Sequence, residues 1–453
     1  MATSTSSAGT HHGDHRHKPS LSLSQIINMN FGFFGIQYSF GLQQTAINPI
    51  YTFLHANPDE LPILNLAGPM TGLIIQPIIG ALSDKTWSPR WGRRKPYFLI
   101  GAITCSIALF FMPFSSALWM AAGLLWILDA GNNTAMEPYR AFVADKLPRN
   151  QFAKGFLTQS FFTGLGITLA NLSLYFFQQV WKGEAATGIP YWVFGAFFVG
   201  SFCSVASVLW SISTTPEIPP TDEELTLLRS QKAHGLGVIL EPFREIFSSI
   251  ATMPKTLWQL ALVYLFQWYA MFCYWQYVSH SIAKSVWKTS AAENMGLYSE
   301  AAGWTGLVNG FYNIVTFLSA FGLVWMAKKF TARYVHAFCL LLAAMALFIM
   351  PGIENKYLLF APMIGFGIAW ASMMGVPYIM VASSIPQAKN GVYMGIVNMM
   401  IVIPMIIQTL SFGWVYDHLL DADPSNALRF AGVFLLIASL ATLRIKADEV
   451  ESE

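Results

Sequence analysis

Charge is scarce in this chain of 453 residues. Asp, Glu, Lys and Arg make up 11% of it and hydrophobic residues 54%, whereas soluble domains carry about 25% charged residues. So little charge cannot cover the surface of a water-soluble protein of this length. The net charge of +2 is also too small to indicate a surface that binds nucleic acid. The composition therefore excludes an ordinary soluble enzyme and indicates a membrane protein.

Cysteine and the signatures of catalytic sites are scarce as well. The four cysteines, Cys105, Cys203, Cys273 and Cys339, lie in apolar stretches without the spacing of a disulfide framework or a metal site, so we interpret them as buried free thiols. The sequence shows no nucleotide-binding loop, metal-binding helix motif or nucleophile elbow. We expect no metal, no cofactor and no enzymatic activity.

Long apolar runs are abundant. A helix needs about 20 apolar residues to cross the hydrocarbon of a bilayer. Runs of this length, in place of alternating strands of about ten residues, favour a helical bundle over a barrel. The sequence predicts an all-α integral membrane protein with twelve transmembrane helices. The predicted spans lie near residues 24–45, 61–83, 97–115, 118–145, 155–180, 190–212, 256–281, 302–327, 333–351, 357–384, 391–415 and 427–444.

The longest hydrophilic interruption, residues 213–254, divides the predicted spans six and six. The two halves also share a short motif, because EPYRAFVADKLP at 137–148 resembles VPYIMVASSIP at 376–386. Duplicated halves around a central site are typical of secondary transporters. We predict a disordered tail (1–22), an N-terminal six-helix bundle (23–213), a central loop (214–254), a C-terminal six-helix bundle (255–446) and a second tail (447–453).

Most of the basic residues fall in loops on one side of the predicted spans, together with both termini. Cytoplasmic loops carry the excess of Lys and Arg in membrane proteins. The sequence therefore predicts a multi-pass protein of the cell membrane with both termini and the central loop in the cytoplasm. We expect it to function as a monomer.

Ionisable residues interrupt the fourth span, WILDAGNNTAMEPYRAFVADKLP at 126–148. In a helix that turns about 100° per residue, Asp129, Asn133, Glu137 and Arg140 lie at about 0°, 40°, 80° and 20° and share one face. That face must turn towards the bundle interior or a water-filled cavity, because charge facing lipid is unfavourable. Glu137 and Arg140 are close enough in sequence to pair.

Asp129 lies about 16 Å from Arg140 along the helix axis, so it has no basic residue within reach on its own helix. Burial disfavours the charged form of such a carboxyl group, which can therefore bind a proton on one side of the membrane and release it on the other. Asn132 and Asn133 supply amide donors and acceptors that suit a ligand rich in hydroxyls. The alternative is a polar network that only ties helices together.

A second cluster begins at the end of the second span. Gly80-x3-Asp84 precedes Gly92-Arg93-Arg94-Lys95 in the following loop. An acid beside several arginines predicts an ionic latch between helices, formed by Asp84, Arg93 and Arg94. A loop whose basic residues only set the orientation of the chain is the alternative.

These motifs carry a resemblance to a known family. The second cluster resembles the loop signature of the major facilitator superfamily, with a longer segment between Asp84 and Gly92. This longer form resembles the sucrose–proton symporter branch, a relative of the glycoside–cation symporters. GIQYSFGLQQTAINPIY at 35–51 and the fourth span resemble the first and fourth helices of that branch. FQWYAMF at 266–272 and GVYMGIVNMMIVIPMIIQTL at 391–410 resemble the seventh and eleventh.

The resemblance implies alternating access between two six-helix bundles that hold the ligand midway. It also implies that Asp129 carries the proton and that Arg140 couples the proton to the sugar. His55 lies near the position where plant members carry a histidine linked to sugar binding. Plant members carry acids and an arginine in the second half where this chain has amides and aromatics, so we expect a different sugar selectivity.

A sugar presents hydroxyls and apolar CH faces, so its site needs amides, carboxylates and flat aromatic rings. The predicted substrate-binding residues are Gln37, Tyr38, Gln43, Gln44, His55, Asn132, Asn133, Gln267, Trp275, Gln276, Asn309, Tyr312, Asn313 and Asn398. We predict a symporter that imports a glucoside disaccharide, sucrose or maltose, with protons, and in which Asp129, Glu137 and Arg140 serve proton coupling. The alternatives are a proton-driven antiporter that exports another small molecule and a sugar sensor that does not transport.

Overall fold

The computed structural model of the protein describes residues 18–148, 151–222, 225–226, 244, 247–382 and 390–445. Within these residues the prediction of an all-α fold is confirmed, with twelve helices of 17 residues or more. The first six are α1 (Leu23–Phe53), α2 (Ala67–Lys85), α3 (Lys95–Phe111), α4 (Leu118–Lys146), α5 (Phe152–Val180) and α6 (Tyr191–Thr214). The second six are α7 (Lys255–Val286), α8 (Met295–Lys329), α9 (Ala332–Ile349), α10 (Phe360–Ala382), α11 (Asn390–Leu419) and α12 (Pro424–Leu443).

A short helix, Leu61–Leu64, joins α1 to α2. The helices match the predicted spans, although α1 continues to Phe53 instead of ending near residue 45. It continues because the polar side chain of Asn48 finds partners on neighbouring elements: it donates to the carbonyl of Trp275 at 3.2 Å and accepts from Asn65 at 2.7 Å. Most of the predicted N-terminal tail and of the central loop lies outside the described residues.

Eight stretches of the described chain are long and apolar enough to cross a membrane, and they fall in α2, α3, α5, α6, α9, α10, α11 and α12. The other four long helices, α1, α4, α7 and α8, contain 29 to 35 residues. Each carries buried or half-buried polar residues, such as Gln43 in α1, Asp129 in α4, Gln276 in α7 and Asn309 in α8. These residues lower the mean hydropathy of helices that turn their polar faces inward.

Each group of six helices packs mainly within itself. In the first, α1 packs against α5 and α6, and α4 packs against α2 and α3; in the second, α12 packs against α7 and α9, and α10 packs against α8 and α9. Glycines permit the closest approaches. A Cβ atom at Gly101 of α3 would lie 2.6 Å from the carbonyl oxygen of Gly131 on α4. The two groups meet chiefly where α5 contacts α8 and where α2 contacts α11.

Hydrogen bonds join the two groups at the end of the bundle where α1 finishes and α8 begins. The hydroxyl of Thr52 lies 3.2 Å from Nε2 of His280 and accepts a bond of 3.3 Å from the hydroxyl of Tyr298. The hydroxyl of Tyr277 donates to the carbonyl of Pro58 at 2.7 Å. We call Thr52, Tyr277, His280 and Tyr298 the closed layer, because these buried side chains seal this end of the interface between the groups.

Candidate functional site

A cavity of about 650 Å³ lies between the two groups of helices. Its volume is typical of a site for a small molecule. Ten of the predicted site residues line it: Gln37, Gln43, Gln44, Asp129, Asn133, Arg140, Trp275, Gln276, Asn313 and Asn398. Residues that are far apart in sequence, on helices of both groups, therefore line the same cavity.

Charge in the described lining is confined to two residues, the carboxyl group of Asp129 and the guanidinium of Arg140. Both lie on α4 but at different depths. Asp129 is 1% exposed, whereas the side chain of Arg140 is 50% exposed. The carboxyl group therefore lies in the buried interior of the cavity and the guanidinium at its more exposed mouth.

Asp129 has a neutral partner. Nε2 of Gln43 on α1 donates a hydrogen bond of 2.7 Å to Oδ1 of Asp129. Oδ2 is buried and has no hydrogen-bond partner within the described residues. On the facing helix α2, Gly68 borders this oxygen, and a Cβ there would be in ordinary van der Waals contact with it at 3.5 Å. In the part of the chain that the structure describes, no cation pairs with this carboxyl group.

A chain of amides crosses the cavity beside Asp129. Nδ2 of Asn133 donates to the Asp129 carbonyl and to the hydroxyl of Thr71, both at 3.0 Å. Gln76 on α2 donates to Asn133 Oδ1 at 2.6 Å and accepts from Asn398 on α11 at 3.1 Å. These amides offer donors and acceptors that hydroxyl groups of a ligand can replace.

Aromatic rings form another part of the lining. Trp268 and Trp275 on α7 and Trp370 on α10 all line the cavity. Their ring centroids lie 5.6 Å apart for Trp275 and Trp370, 5.9 Å for Trp268 and Trp370, and 6.5 Å for Trp268 and Trp275. We call these three residues the tryptophan cluster. It presents a rigid apolar surface with a small conformational entropy to lose on binding.

The mouth of the cavity holds an exposed ion pair. The guanidinium of Arg140 lies 3.8 Å from the carboxylate of Glu137, one turn earlier on α4. Glu137 does not line the cavity, and its Cγ faces Gly80 on α2 at 3.6 Å from the position of a Cβ there. Exposed pairs of this kind contribute little free energy, so Arg140 can change partners readily.

Several predicted substrate residues lie away from the cavity. Tyr38 packs against Gly200 on α6. His55 is exposed after α1, with a φ of 65°. Oε1 of Gln267 lies 3.1 Å from Nε2 of the buried His336 on α9.

Three more form contacts between helices. Asn132 donates to Gln43 at 3.4 Å. Nδ2 of Asn309 donates to the hydroxyl of Thr45 at 3.1 Å, which bridges α8 and α1. Tyr312 packs against Phe366 with ring centroids 5.1 Å apart.

The latch predicted from Asp84, Arg93 and Arg94 stays a prediction, because the side chain of Asp84 lies outside the described residues. Arg94 pairs with Asp145 on α4 through Nε at 2.9 Å, and its NH1 donates to Ser83 at 2.6 Å. Glu217, just after α6, accepts the backbone N–H groups of Arg93, Arg94 and Lys95 at 2.8, 2.9 and 3.0 Å.

Gly92 is required beside this carboxylate. Its φ of 77° lies in the left-handed region, and a Cβ there would be 2.5 Å from the carboxyl carbon of Glu217. The loop between α2 and α3 is therefore held to the end of α6 by backbone bonds to Glu217 as well as to α4 through Arg94. Nothing in the spacing of Glu217 pointed to this contact, since the two segments are more than a hundred residues apart.

Sequence reasoning also missed residues that line the cavity. Gln76 lies in the stretch GPMTGLIIQP of the second predicted span, and an amide in an apolar span is itself a signal of a polar interior. Trp268 and Trp370 gave no such signal, because tryptophan is also common at the interfaces of membrane proteins.

The chain is similar to known proteins along most of its length. The family model of the Major Facilitator Superfamily matches residues 29–409. The chain is 25% identical to the sucrose transport protein SUC4 of Arabidopsis thaliana, over 91% of this chain and 89% of that protein. It is 26% identical to the sucrose transport protein SUT2 of Oryza sativa subsp. indica, over 90% of each.

Solved structures share the fold. The nucleoside transporter NupG superposes with a TM-score of 0.65 at 15% identity, covering 94% of this chain and 100% of that one. A D-xylose-proton symporter superposes with a TM-score of 0.63 at 14% identity, covering 93% and 97%. The resemblance to the superfamily predicted from the sequence is confirmed by the family model.

Proposed function

The chain belongs to the major facilitator superfamily and is a multi-pass membrane transporter; on this premise we propose that it is a proton-coupled symporter that imports a glucoside disaccharide, sucrose or maltose. The observation that carries the proposal is the buried carboxyl group of Asp129, which lines the central cavity and is paired with an amide in place of a cation. The full-length similarity to plant sucrose transport proteins supports the choice of substrate class.

Asp129 carries the proton in this proposal. A buried carboxyl group without a cationic partner changes its protonation state at moderate cost, because burial and the amide bond act on the charged form in opposite directions. Protonation from outside neutralises the interior of the cavity and favours its closure around the sugar. Release of the proton to the inside follows when the cavity opens there.

The sugar lies between two chemically different walls. Amides from the first half, including Gln37, Gln44 and Asn133, face hydroxyl groups, and Asn398 and Gln276 contribute from the second half. The tryptophan cluster covers an apolar face of the sugar ring. A disaccharide has both kinds of surface, and its size suits the volume of the cavity.

Arg140 binds the sugar as it leaves. Its guanidinium is half exposed at the mouth and is held by a weak pair with Glu137. Sugar hydroxyls can replace Glu137 as acceptors, because an exposed pair contributes little free energy. In this proposal Arg140 binds the sugar at the mouth, while Asp129 binds the proton deeper in the cavity.

Alternating access requires the closed layer to open. The bonds of this layer and the bridge between Thr45 and Asn309 involve neutral groups. Neutral hydrogen bonds exchange with water at a small net free energy, which suits a gate that opens in each cycle. In this proposal the protein works as a monomer in the cell membrane, with both termini in the cytoplasm. The closed layer at the end of α1 then lies on the outer side, so the arrangement described here is the inward-facing one.

Uptake into proteoliposomes tests the proposal. Labelled sucrose and maltose, with glucose as a matched monosaccharide, are supplied with and without an imposed gradient that is acidic outside. We expect a disaccharide to accumulate above its external concentration only with the gradient, and protons to enter when it is added. Proton exit on addition of sugar would indicate an antiporter, and binding without uptake would indicate a sensor; either result overturns the proposal.

A further inference from the structure

We propose that Gln43 is the positioning residue of the proton carrier, which fixes the orientation and proton affinity of Asp129, and that it is not a sugar contact. This inference rests on the proposed function. It changes the role predicted for Gln43 from its sequence, where it was grouped with the neighbouring amides Gln37 and Gln44. The basis is the geometry around the carboxyl group.

Gln43 and Gln44 are neighbours on α1, line the same cavity and differ in their contacts. Nε2 of Gln43 donates to Oδ1 of Asp129 at 2.7 Å. The side chain of Gln44 makes no hydrogen bond within the described residues, although it lines the cavity. Gln44 therefore has its amide available for a ligand, whereas that of Gln43 is already committed to the carboxyl group.

A second set of bonds fixes which end of the Gln43 amide faces Asp129. Nδ2 of Asn132 donates to Oε1 of Gln43 at 3.4 Å, and the thiol of Cys105 on α3 donates to Oδ1 of Asn132 at 3.0 Å. With its oxygen occupied by a donor, Gln43 must present its NH₂ group to Asp129. A chain of neutral groups from α3 through α4 and α1 therefore ends on Oδ1.

Among the described residues, no charged side chain lies within pairing distance of Asp129. The titratable groups near it are the phenol of Tyr51 on α1 and the thiol of Cys105 on α3, and phenols and thiols are neutral near pH 7. On α2 it faces Gly68, which has no side chain. Since Oδ1 is held by Gln43, the proton binds at Oδ2, which the structure leaves without a partner in the described residues.

The amide donor stabilises the ionised carboxylate more than the neutral acid, because hydrogen bonds to charged acceptors are the stronger ones. It therefore keeps the proton affinity of a buried carboxyl group low enough for release to the inside. Loss of a bond to a charged group corresponds to about one unit or more in the pH of half-maximal uptake. The direction of the change in the pH of half-maximal uptake follows from this. Without the donor the acid holds its proton more tightly, so uptake persists to higher pH.

The test compares three variants in proteoliposomes by initial uptake over external pH and over sugar concentration. For Gln43→Leu we expect the pH of half-maximal uptake to rise by about one unit. For the isosteric Gln43→Glu, which places a second acid beside Asp129, we also expect a rise, because two adjacent carboxyl groups cannot both ionise easily. For Gln44→Leu we expect a higher half-saturation concentration of sugar with an unchanged pH midpoint.

The outcomes separate this inference from the proposed function. If Gln43→Leu raises only the half-saturation concentration, as Gln44→Leu does, Gln43 is a sugar contact and the inference is wrong. If Asp129→Asn still concentrates sugar, the proposed function fails whatever Gln43 does. Misfolding of Gln43→Leu, seen as loss of the monodisperse protein, leaves Gln43→Glu to decide, since an unshifted midpoint in that variant also overturns the inference.

Discussion

The side-chain amide of Asn398 on α11 donates a hydrogen bond of 3.1 Å to Gln76 on α2. Gln76 donates in turn to Asn133 at 2.6 Å, and Asn133 donates to the carbonyl of Asp129. The two halves of the molecule are thus joined within the cavity by amides that end one helical turn from the proposed proton carrier. A movement of α11 relative to α2 must break or replace this connection.

The amide connection predicts coupled effects of substitution. We expect Gln76→Leu and Asn398→Leu each to raise the half-saturation concentration of sugar about fivefold, the value of one hydrogen bond of about 1 kcal/mol. Because they share one bond, the double variant should show less than the product of the two effects. Initial uptake rates over sugar concentration measure this, and a full product would show that the residues act independently.

The tryptophan cluster predicts a loss of affinity without a change in coupling. Removing a stacked ring costs about 1–2 kcal/mol, so we expect Trp275→Ala and Trp370→Ala to raise the half-saturation concentration by about 5- to 30-fold, and Trp→Phe at the same positions to retain most of the affinity. Trp119→Ala is the control, because Trp119 is 78% exposed on the outside of α4. Equal effects at Trp119 and at the cluster would contradict stacking.

The bridge between Thr45 and Asn309 predicts an effect on the closed end. Thr45→Val keeps the shape of the side chain but removes the hydroxyl that accepts from Asn309 and donates to Asn171 at 2.5 Å. We introduce a cysteine by Gln44→Cys and label it with an impermeant maleimide from the side of the closed layer. We expect this cysteine to react several times faster in the Thr45→Val variant than in the parent that has Thr45.

The matched control for this gate is Thr158→Val on α5, whose hydroxyl bonds only within its own helix, to the carbonyl of Lys154. That variant should leave the labelling rate unchanged. A rate that does not differ between Thr45→Val and the parent would show that the bridge does not help to hold this end closed.

The carboxylate of Glu217 predicts an effect on stability. It caps three backbone N–H groups at the start of α3, and loss of such a cap costs about 1–2 kcal/mol. We expect Glu217→Ala to lower the free energy of unfolding by about that amount, seen as a lower midpoint of thermal unfolding in detergent. The nearby exposed Asp222→Asn should leave the midpoint unchanged, and an unchanged midpoint in Glu217→Ala would contradict the capping role.

Local features of the sequence predicted the twelve helices and the family, because a long apolar run or a loop motif is complete within one segment. Asp129 and Arg140 could be placed on one helix face for the same reason. The pair of Arg140 with Glu137 could be predicted in the same way. The bond of Gln43 to Asp129 and the bonds that join Gln76 to Asn133 and Asn398 could not, since they depend on the packing of α1, α2, α4 and α11. The amides Gln267 and Asn309 were predicted to bind substrate but contact His336 and Thr45 on neighbouring helices. Composition alone does not distinguish a polar residue that binds a neighbouring helix from one that faces the cavity.

In the proposed transport cycle, the carboxyl group of Asp129 carries the coupled proton. Asp129→Asn preserves the shape of the side chain and the bond to Gln43 but cannot exchange a proton at physiological pH. In proteoliposomes with an imposed pH gradient, we predict that this variant loses accumulation of disaccharide above the external concentration and loses sugar-induced proton entry, while exchange of labelled for unlabelled sugar continues. Accumulation of sugar by Asp129→Asn at the level of the unaltered protein would contradict the account.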